Sequence, residues 1–114
     1  MSSGSDLIRQ IVPAELAAWL ADGGREKPLL LDVREPWEWQ TARIEGAMHI
    51  PMREVPARVG ELDKGREVVA ICHHGGRSQQ VAMFLENNGF AKIHNLQGGL
   101  DAWSRSVDPA VPVY

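Results

Sequence analysis

Short apolar segments alternate along the chain with stretches in which apolar residues recur at helical spacing. Residues 29–33 and 67–71 are runs of mainly aliphatic side chains, which is typical of strands buried in a parallel sheet. Val81, Phe84 and Leu85 fall at positions i, i+3 and i+4 and predict a helix with one apolar face. Further strands are predicted over 9–12, 47–50 and 92–96, and further helices from Pro13, from Pro36, within 54–62 and over 100–104.

This alternation predicts βαβ units, and therefore a five-stranded, mainly parallel sheet with helices on both faces: a three-layer α/β/α fold. We expect residues 1–8 to be a flexible N-terminal segment and residues 9–114 to form a single domain. Residues 107–114 contain two prolines and are predicted to be an extended, ordered tail of that domain. In sheets of this type, binding sites lie beyond the carboxyl ends of the strands.

Length and charge exclude several classes of protein. The 114 residues suit one domain that folds without a disulfide or a metal. The formal net charge is −3, so the chain lacks the bulk positive charge of proteins that bind nucleic acids or membrane surfaces. The sequence contains no recognisable secretory signal and no run of roughly 18 apolar residues. We therefore expect a cytoplasmic protein, and a monomer, that binds neither nucleic acid nor membranes.

Cys72 is the single cysteine of the sequence, so it can form neither a disulfide within the chain nor a cysteine-rich zinc site. It directly follows the strand predicted over 67–71 and precedes the helix that carries Val81. Gly75 and Gly76 allow the backbone of the loop between this strand and this helix to curl, so that successive N–H groups point inward. The positive end of the helix points to the same place. These surroundings favour a nucleophilic thiolate over a buried, inert thiol.

The charge pattern around this loop is consistent with an anion site. Arg77 carries the only formal charge between Glu67 and Glu86, so the predicted loop and helix contain no carboxylate. His73 and His74 could add positive charge on protonation. We do not expect them to bind a metal, because adjacent side chains on a tight loop diverge and no third ligand with suitable spacing is evident. The loop is therefore predicted to bind an anionic substrate or an anionic sulfur.

Three segments of the sequence form a recognisable set of motifs. They are Asp32-Val33-Arg34 within residues 31–39, the loop Cys72-x-x-Gly75-x-Arg77, and residues 95–103 with Gly98-Gly99 and Trp103. Together they resemble the rhodanese family, specifically its single-domain sulfurtransferases, over about residues 11–103. One departure lies at residues 42–47, where many members carry Gly-His-Ile and this chain has Arg43 at the histidine position.

The resemblance implies a rhodanese-like fold and sulfur transfer through a covalent intermediate. The Cys72 thiolate would attack the outer sulfur of a small anionic donor such as thiosulfate and become a persulfide. A thiophilic acceptor, which could be cyanide, a thiol or a partner protein, would then remove that sulfur. The chemistry requires no external cofactor and no metal. Because the chain has no second cysteine, the acceptor must be external.

The same resemblance implies the roles of the other site residues. The substrate-binding and persulfide-binding loop would comprise His73, His74, Gly75, Gly76, Arg77 and Ser78, with Asp32, Arg34 and Arg43 in supporting positions. Backbone N–H groups of the loop would stabilise the persulfide anion. Arg77 would orient the donor or brace the loop, and His73 and His74 would tune the local charge. Asp32 and Arg34 are expected to be mainly structural, and Arg43 to face the site.

Two other classes of function use a related loop. Cell-cycle dual-specificity phosphatases share the fold but place five residues between cysteine and arginine, whereas four residues separate Cys72 from Arg77 here. The shorter loop suits a single sulfur better than a tetrahedral oxyanion. A non-catalytic binding module is the second alternative, although inactive relatives usually lose the cysteine that this chain retains. Within the sulfurtransferase interpretation, the sequence is equally compatible with a free enzyme and with a persulfide relay to a dedicated protein.

Overall fold

A computed structural model of the chain describes residues 8–114, in which strands and helices alternate. The strands are β1 (Ile8–Ile11), β2 (Leu29–Asp32), β3 (Met48–His49), β4 (Val68–Ile71) and β5 (Ile93–Leu96). The helices are α1 (Pro13–Ala21), α2 (Pro36–Thr41), α3 (Val55–Arg58), α4 (Gly76–Asn87) and α5 (Gly99–Ser106), and the 3-10 turns Met52–Glu54 and Val59–Glu61 flank α3. All the predicted elements are present.

The five strands form one sheet in the order β1-β5-β4-β2-β3, and all four neighbouring pairs are parallel. The predicted five-stranded parallel sheet is therefore confirmed. All residues of the central strand β4 are buried, which explains why its sequence is a continuous aliphatic run. The short strand β3 pairs only with Leu31 and Asp32 at the end of β2.

Helices cover both faces of the sheet. On one face, Val55 of α3 and Leu85 of α4 share a buried cluster with Val68. On the other face, α1 and α5 pack against a cluster that contains Val69. Val68 and Val69 belong to different clusters because successive side chains of a strand point to opposite faces. The fold is thus the predicted α/β/α arrangement, and no helix within residues 8–114 has the length and apolar character to cross a bilayer.

Ile8 lies in a strand, whereas we predicted that it belongs to the flexible N-terminal segment. It belongs to β1 and pairs with Ile93 of β5. Its side chain is buried, so Ile8 is part of the folded domain. The rest of the predicted N-terminal segment, residues 1–7, lies outside the described part of the chain.

The tail that follows α5 is ordered but is not uniformly extended as predicted. The Val111 N–H donates to the Asp108 carbonyl oxygen at 3.1 Å, which closes a turn. The Asp-Pro sequence at 108–109 favours such a turn because the aspartate side chain can accept a hydrogen bond from the backbone two residues later. The chain therefore folds back, and Tyr114 comes to lie beside α2 and the loop that follows β4.

Candidate active site

The loop with the single cysteine leaves the sheet at the carboxyl end of β4. Cys72 directly follows Ile71, and only 1% of its surface is exposed. Gly75 has a φ of +107°, a backbone conformation that favours glycine, and it immediately precedes the first residue of α4. The chain therefore reverses within a few residues, and the N-terminus of α4 lies against the cysteine sulfur.

Two groups of this turn lie within hydrogen-bond distance of the Cys72 sulfur. The Gly75 N–H donates to Sγ at 3.0 Å, and the Ser78 hydroxyl lies 3.2 Å from it. The same hydroxyl lies 2.5 Å from Asn95 Oδ1 of β5, a second possible acceptor. Because a hydroxyl has one proton, Ser78 donates to one of these two acceptors at a time. Negative charge on the sulfur favours donation to Sγ, since hydrogen bonds to ionised groups are the stronger ones.

The N-terminus of α5 supports the loop from behind. The Leu100 N–H donates to the Cys72 carbonyl oxygen at 2.8 Å, and the Asp101 N–H donates to the His73 carbonyl oxygen at 3.1 Å. A Cβ atom on Gly99 would collide with the backbone of both loop residues, and φ at Gly99 is +62°. Glycine is therefore required at this position, which gives a structural reason for the Gly-Gly motif at 98–99.

Arg77 is paired with a carboxylate from α2. Its two terminal nitrogens donate to Glu38 at 2.7 and 2.9 Å, and Glu38 is buried. The hydrogen bonds from Arg77 lower the pKa of Glu38 to about 2, although burial opposes this change. The same pairing raises the pKa of Arg77. Of the two roles that we predicted for Arg77, this geometry favours bracing of the loop over orienting of the donor. The fold also places the carboxylate of Glu38 beside the loop, whose own sequence contains none.

Arg34 lies fully buried beside this ion pair. Its guanidinium donates to both carboxylate oxygens of Asp32, at 2.7 to 3.1 Å, and to the carbonyl oxygens of Glu38 and Ala42. Every one of these partners belongs to β2, to α2 or to the residue that follows α2. Asp32 and Arg34 therefore lie where they can join the end of β2 to the helix that supplies Glu38, and neither contacts the cysteine sulfur through a hydrogen bond.

Tyr114 is the main site residue that the sequence did not reveal. Its hydroxyl accepts a hydrogen bond from Arg34 at 2.8 Å and donates one to Glu38 at 2.8 Å. Burial raises the pKa of Tyr114 to about 12, so the hydroxyl keeps its proton near neutral pH. Its ring also stacks on His73 with 4.1 Å between ring centres. Tyr114 is 76 residues from Glu38 in sequence and follows a turn, so no local pattern could identify it.

The two loop histidines do not diverge as we expected. The rings of His73 and His74 stack with 4.0 Å between their centres. Asp101 of α5 lies beside them and is a third potential metal ligand, which the sequence pattern did not suggest. Its carboxylate lies 3.8 Å from His74 Nε2. Burial lowers the pKa of His73, and the neighbouring His74 lowers it further, so His73 contributes little positive charge at neutral pH.

Arg43 contacts an aromatic side chain of α2. Its guanidinium lies over the ring of Trp39, 4.9 Å from the ring centre, and Trp39 in turn stacks on His49. His49 Nε2 is 2.7 Å from the Arg34 carbonyl oxygen, so this stack extends the support around β2. Within residues 8–114, Arg43 forms no ion pair or hydrogen bond with the loop 72–78.

Comparison with known proteins defines the class of this protein. Residues 12–106 match the model of the rhodanese-like domain, and the chain belongs to that family. A sulfurtransferase from Allochromatium vinosum is 37% identical over 105 residues, which cover 92% of this chain and 96% of the relative. The thiosulfate sulfurtransferase GlpE of Pseudomonas aeruginosa is 33% identical, with 93% of this chain and 92% of GlpE covered. The predicted family is thus confirmed.

A solved structure agrees with the fold described above. The crystal structure of a protein from Staphylococcus saprophyticus is similar to this chain with a TM-score of 0.79 and 31% sequence identity. The similarity covers 91% of this chain and 98% of the Staphylococcus chain. The arrangement of strands and helices is therefore one that experiment has found in a related protein of similar size.

Proposed function

We propose that this protein is a sulfurtransferase that moves a sulfane sulfur from a small anionic donor such as thiosulfate to a thiophilic acceptor through a persulfide on Cys72. The observation that carries the proposal is the position of Sγ, with the Gly75 N–H and the Ser78 hydroxyl at 3.0 and 3.2 Å. Such donors at a helix N-terminus stabilise a thiolate. The relative GlpE is a thiosulfate sulfurtransferase, which supports thiosulfate as the donor.

The first half-reaction transfers sulfur to the protein. The Cys72 thiolate forms a bond to the outer sulfur of thiosulfate while the S–S bond of the donor breaks. Sulfite leaves with the electron pair of that bond, and the product is a Cys72 persulfide anion. Total charge and sulfur are conserved, and neither an oxidant nor a reductant is required. This division of one difficult transfer into two easier ones is the advantage of covalent catalysis.

The second half-reaction returns the cysteine to its starting state. An external nucleophile such as cyanide or a thiolate attacks the outer sulfur of the persulfide, and Sγ leaves as a thiolate. The acceptor must come from outside the chain because Cys72 is the only cysteine in the sequence. Negative charge returns to Sγ in this step, where the Ser78 hydroxyl can turn from Asn95 to donate to it.

Arg77 has two roles in this proposal. Two of its N–H donors hold Glu38 and so fix α2 against the start of α4. The guanidinium has five N–H donors in total, and 36% of the Arg77 side chain is exposed. Donors outside the ion pair are therefore free to contact the oxygens of an anionic sulfur donor. No external cofactor takes part in either half-reaction.

Intact mass spectrometry after exposure to thiosulfate tests the proposal directly. The native protein should gain one sulfur atom, and cyanide should remove it with formation of thiocyanate. Cys72→Ser should gain none, because a serine hydroxyl cannot form the persulfide. No gain in the native protein would overturn the thiosulfate proposal. A gain that persists in Cys72→Ser would show that the sulfur is carried elsewhere.

A comparison of two variants separates the sulfur chemistry from general loss of structure. Arg77→Lys keeps the charge but cannot pair with both oxygens of Glu38. Arg9→Lys makes the same exchange at an exposed arginine and serves as the matched surface control. We expect thiosulfate turnover to fall at least about tenfold in Arg77→Lys, which corresponds to about 1.4 kcal/mol, and to be unchanged in the control. Equal turnover in Arg77→Lys would show that the paired geometry is dispensable.

A further inference from the structure

Three potential metal ligands meet at the rim of the loop that follows β4. The metal-binding atoms of His73, His74 and Asp101 all lie within 4.8 Å of one another. His74 Nε2 and Asp101 Oδ2 are 3.8 Å apart, and the two imidazole rings are stacked at 4.0 Å. None of these side chains has a part in the proposed covalent chemistry. The loop backbone and α5 bring them together, although Asp101 is 27 residues further along the chain than His74.

The structure holds two of these ligands in place before any ion binds. The Asp101 N–H donates to the His73 carbonyl oxygen at 3.1 Å, so the backbones of the two residues are linked directly. The ring of His73 is held by stacking on Tyr114. Sites built on fixed backbone lose less conformational entropy when a ligand binds than sites on mobile chain. His74 is 68% exposed and can adjust its position.

One ring nitrogen of His73 lacks a partner in the folded protein. His73 Nε2 is buried and makes no hydrogen bond with the rest of residues 8–114. An unsatisfied buried polar atom of this kind destabilises the folded state. Neutral imidazole nitrogen is also a common metal ligand in proteins. A cation bound through Nε2 would satisfy this nitrogen.

The donor set indicates which ions fit. Two imidazole nitrogens and one carboxylate oxygen are typical ligands of Zn²⁺, and three protein ligands leave one position open for water. At bond lengths of about 2.0–2.1 Å, tetrahedral ligands lie about 3.4 Å apart. The ligand atoms here lie within 4.8 Å of one another and the two rings are stacked, so the exposed His74 must turn, and Asp101 must move, to complete the site.

We propose that His73, His74 and Asp101 form a binding site for a divalent transition-metal ion such as Zn²⁺ at the rim of the Cys72 loop. Arg105 competes with the ion, because its Nε donates to Asp101 Oδ2 at 3.0 Å. Binding must replace this surface ion pair, which is weak in water. The proposal concerns binding alone, so it does not depend on the sulfurtransferase activity proposed above.

Calorimetric titration of Zn²⁺ into the untagged chain tests the proposal. The titration is carried out on Cys72→Ser, because the thiolate could itself bind zinc. We expect one ion per chain, and affinity at least about tenfold lower in His74→Ala and in Asp101→Asn, each made in the same background. Arg105→Ala should bind several-fold more tightly, since Asp101 then loses its competing partner.

Two matched controls keep the result interpretable. Glu45→Gln makes the same charge change as Asp101→Asn on an exposed residue, and His94→Gln removes a histidine that pairs with Glu67 outside the cluster. Both should bind Zn²⁺ with unchanged affinity. Circular dichroism and thermal unfolding of each variant establish that it folds, and the exposed position of His74 makes His74→Ala the decisive variant.

Several outcomes would overturn the site. Absence of Zn²⁺ binding to Cys72→Ser, with binding to the unmodified chain, would assign the ion to the thiolate. Equal affinity in folded His74→Ala and Asp101→Asn would show that zinc binds elsewhere. Equal affinity in folded Asp101→Asn alone would show that the Asp101 carboxylate is not a ligand.

Discussion

Replacing Glu38 with glutamine is expected to lower the free energy of unfolding by about 2 kcal/mol at pH 7. Glu38 accepts hydrogen bonds from Arg77 at 2.7 and 2.9 Å and from Tyr114 at 2.8 Å. These partners hold its pKa at about 2, whereas the ordinary value is 4.5. Such a difference corresponds to about 3 kcal/mol at neutral pH. We expect less because 36% of the Arg77 side chain is exposed, and solvent screens the pair.

The effect of Glu38→Gln should depend on pH in a defined direction. The pKa of Glu38 is lower in the folded than in the unfolded state, so its ionised form stabilises the folded protein above the unfolded value of 4.5. This contribution is lost as the pH falls from about 5 towards 2. Glutamine does not titrate in this range. The difference in stability between the unmodified protein and the variant should therefore shrink across the same window.

Urea unfolding followed by tryptophan fluorescence at pH 7, 5 and 3 measures this difference. Glu45→Gln, an exposed carboxylate, is the control and should change stability by less than about 0.5 kcal/mol. Arg77→Gln and the double variant with Glu38→Gln complete a double-mutant cycle, in which the coupling energy isolates the pair. A loss below about 0.5 kcal/mol at pH 7, or equal losses at pH 7 and pH 3, would refute the reasoning.

Three further variants test other parts of the site. Tyr114→Phe removes the hydroxyl that donates to Glu38 and should lower stability by about 2 kcal/mol in urea unfolding; a loss under about 0.5 kcal/mol would contradict this. Gly99→Ala should destabilise by more than about 3 kcal/mol because its Cβ would meet the loop backbone at positive φ, whereas Gly60→Ala, with open space around it, is the control and should retain near-native stability. Ser78→Ala should slow thiosulfate turnover about tenfold, and Ser78→Thr should restore most of it; unchanged turnover in the alanine variant would rule out the hydroxyl as a donor to the sulfur.

The sequence alone determined the order of the elements and the position of the loop that carries Cys72. The aliphatic run over 67–71 predicted a buried parallel strand because both faces of such a strand are covered. The Gly75-Gly76 pair marked the sharp reversal into α4, where positive φ at Gly75 makes glycine the favoured residue. These signals lie within about a dozen residues of Cys72, and local backbone preference and periodicity are sufficient to reveal them.

Only the tertiary structure decided which side chains surround that loop. The pairing of Arg77 with Glu38 spans 39 residues, and the contact of Tyr114 with Glu38 spans 76. The first contact requires β2 to lie beside β4 in the sheet, and the second requires the tail to turn back towards α2. Neither arrangement produces a local pattern in the sequence. The meeting of His74 with Asp101 likewise depends on α5 packing behind the loop. Periodicity reports which face of an element is buried, whereas the partner on that face is set by packing between distant segments.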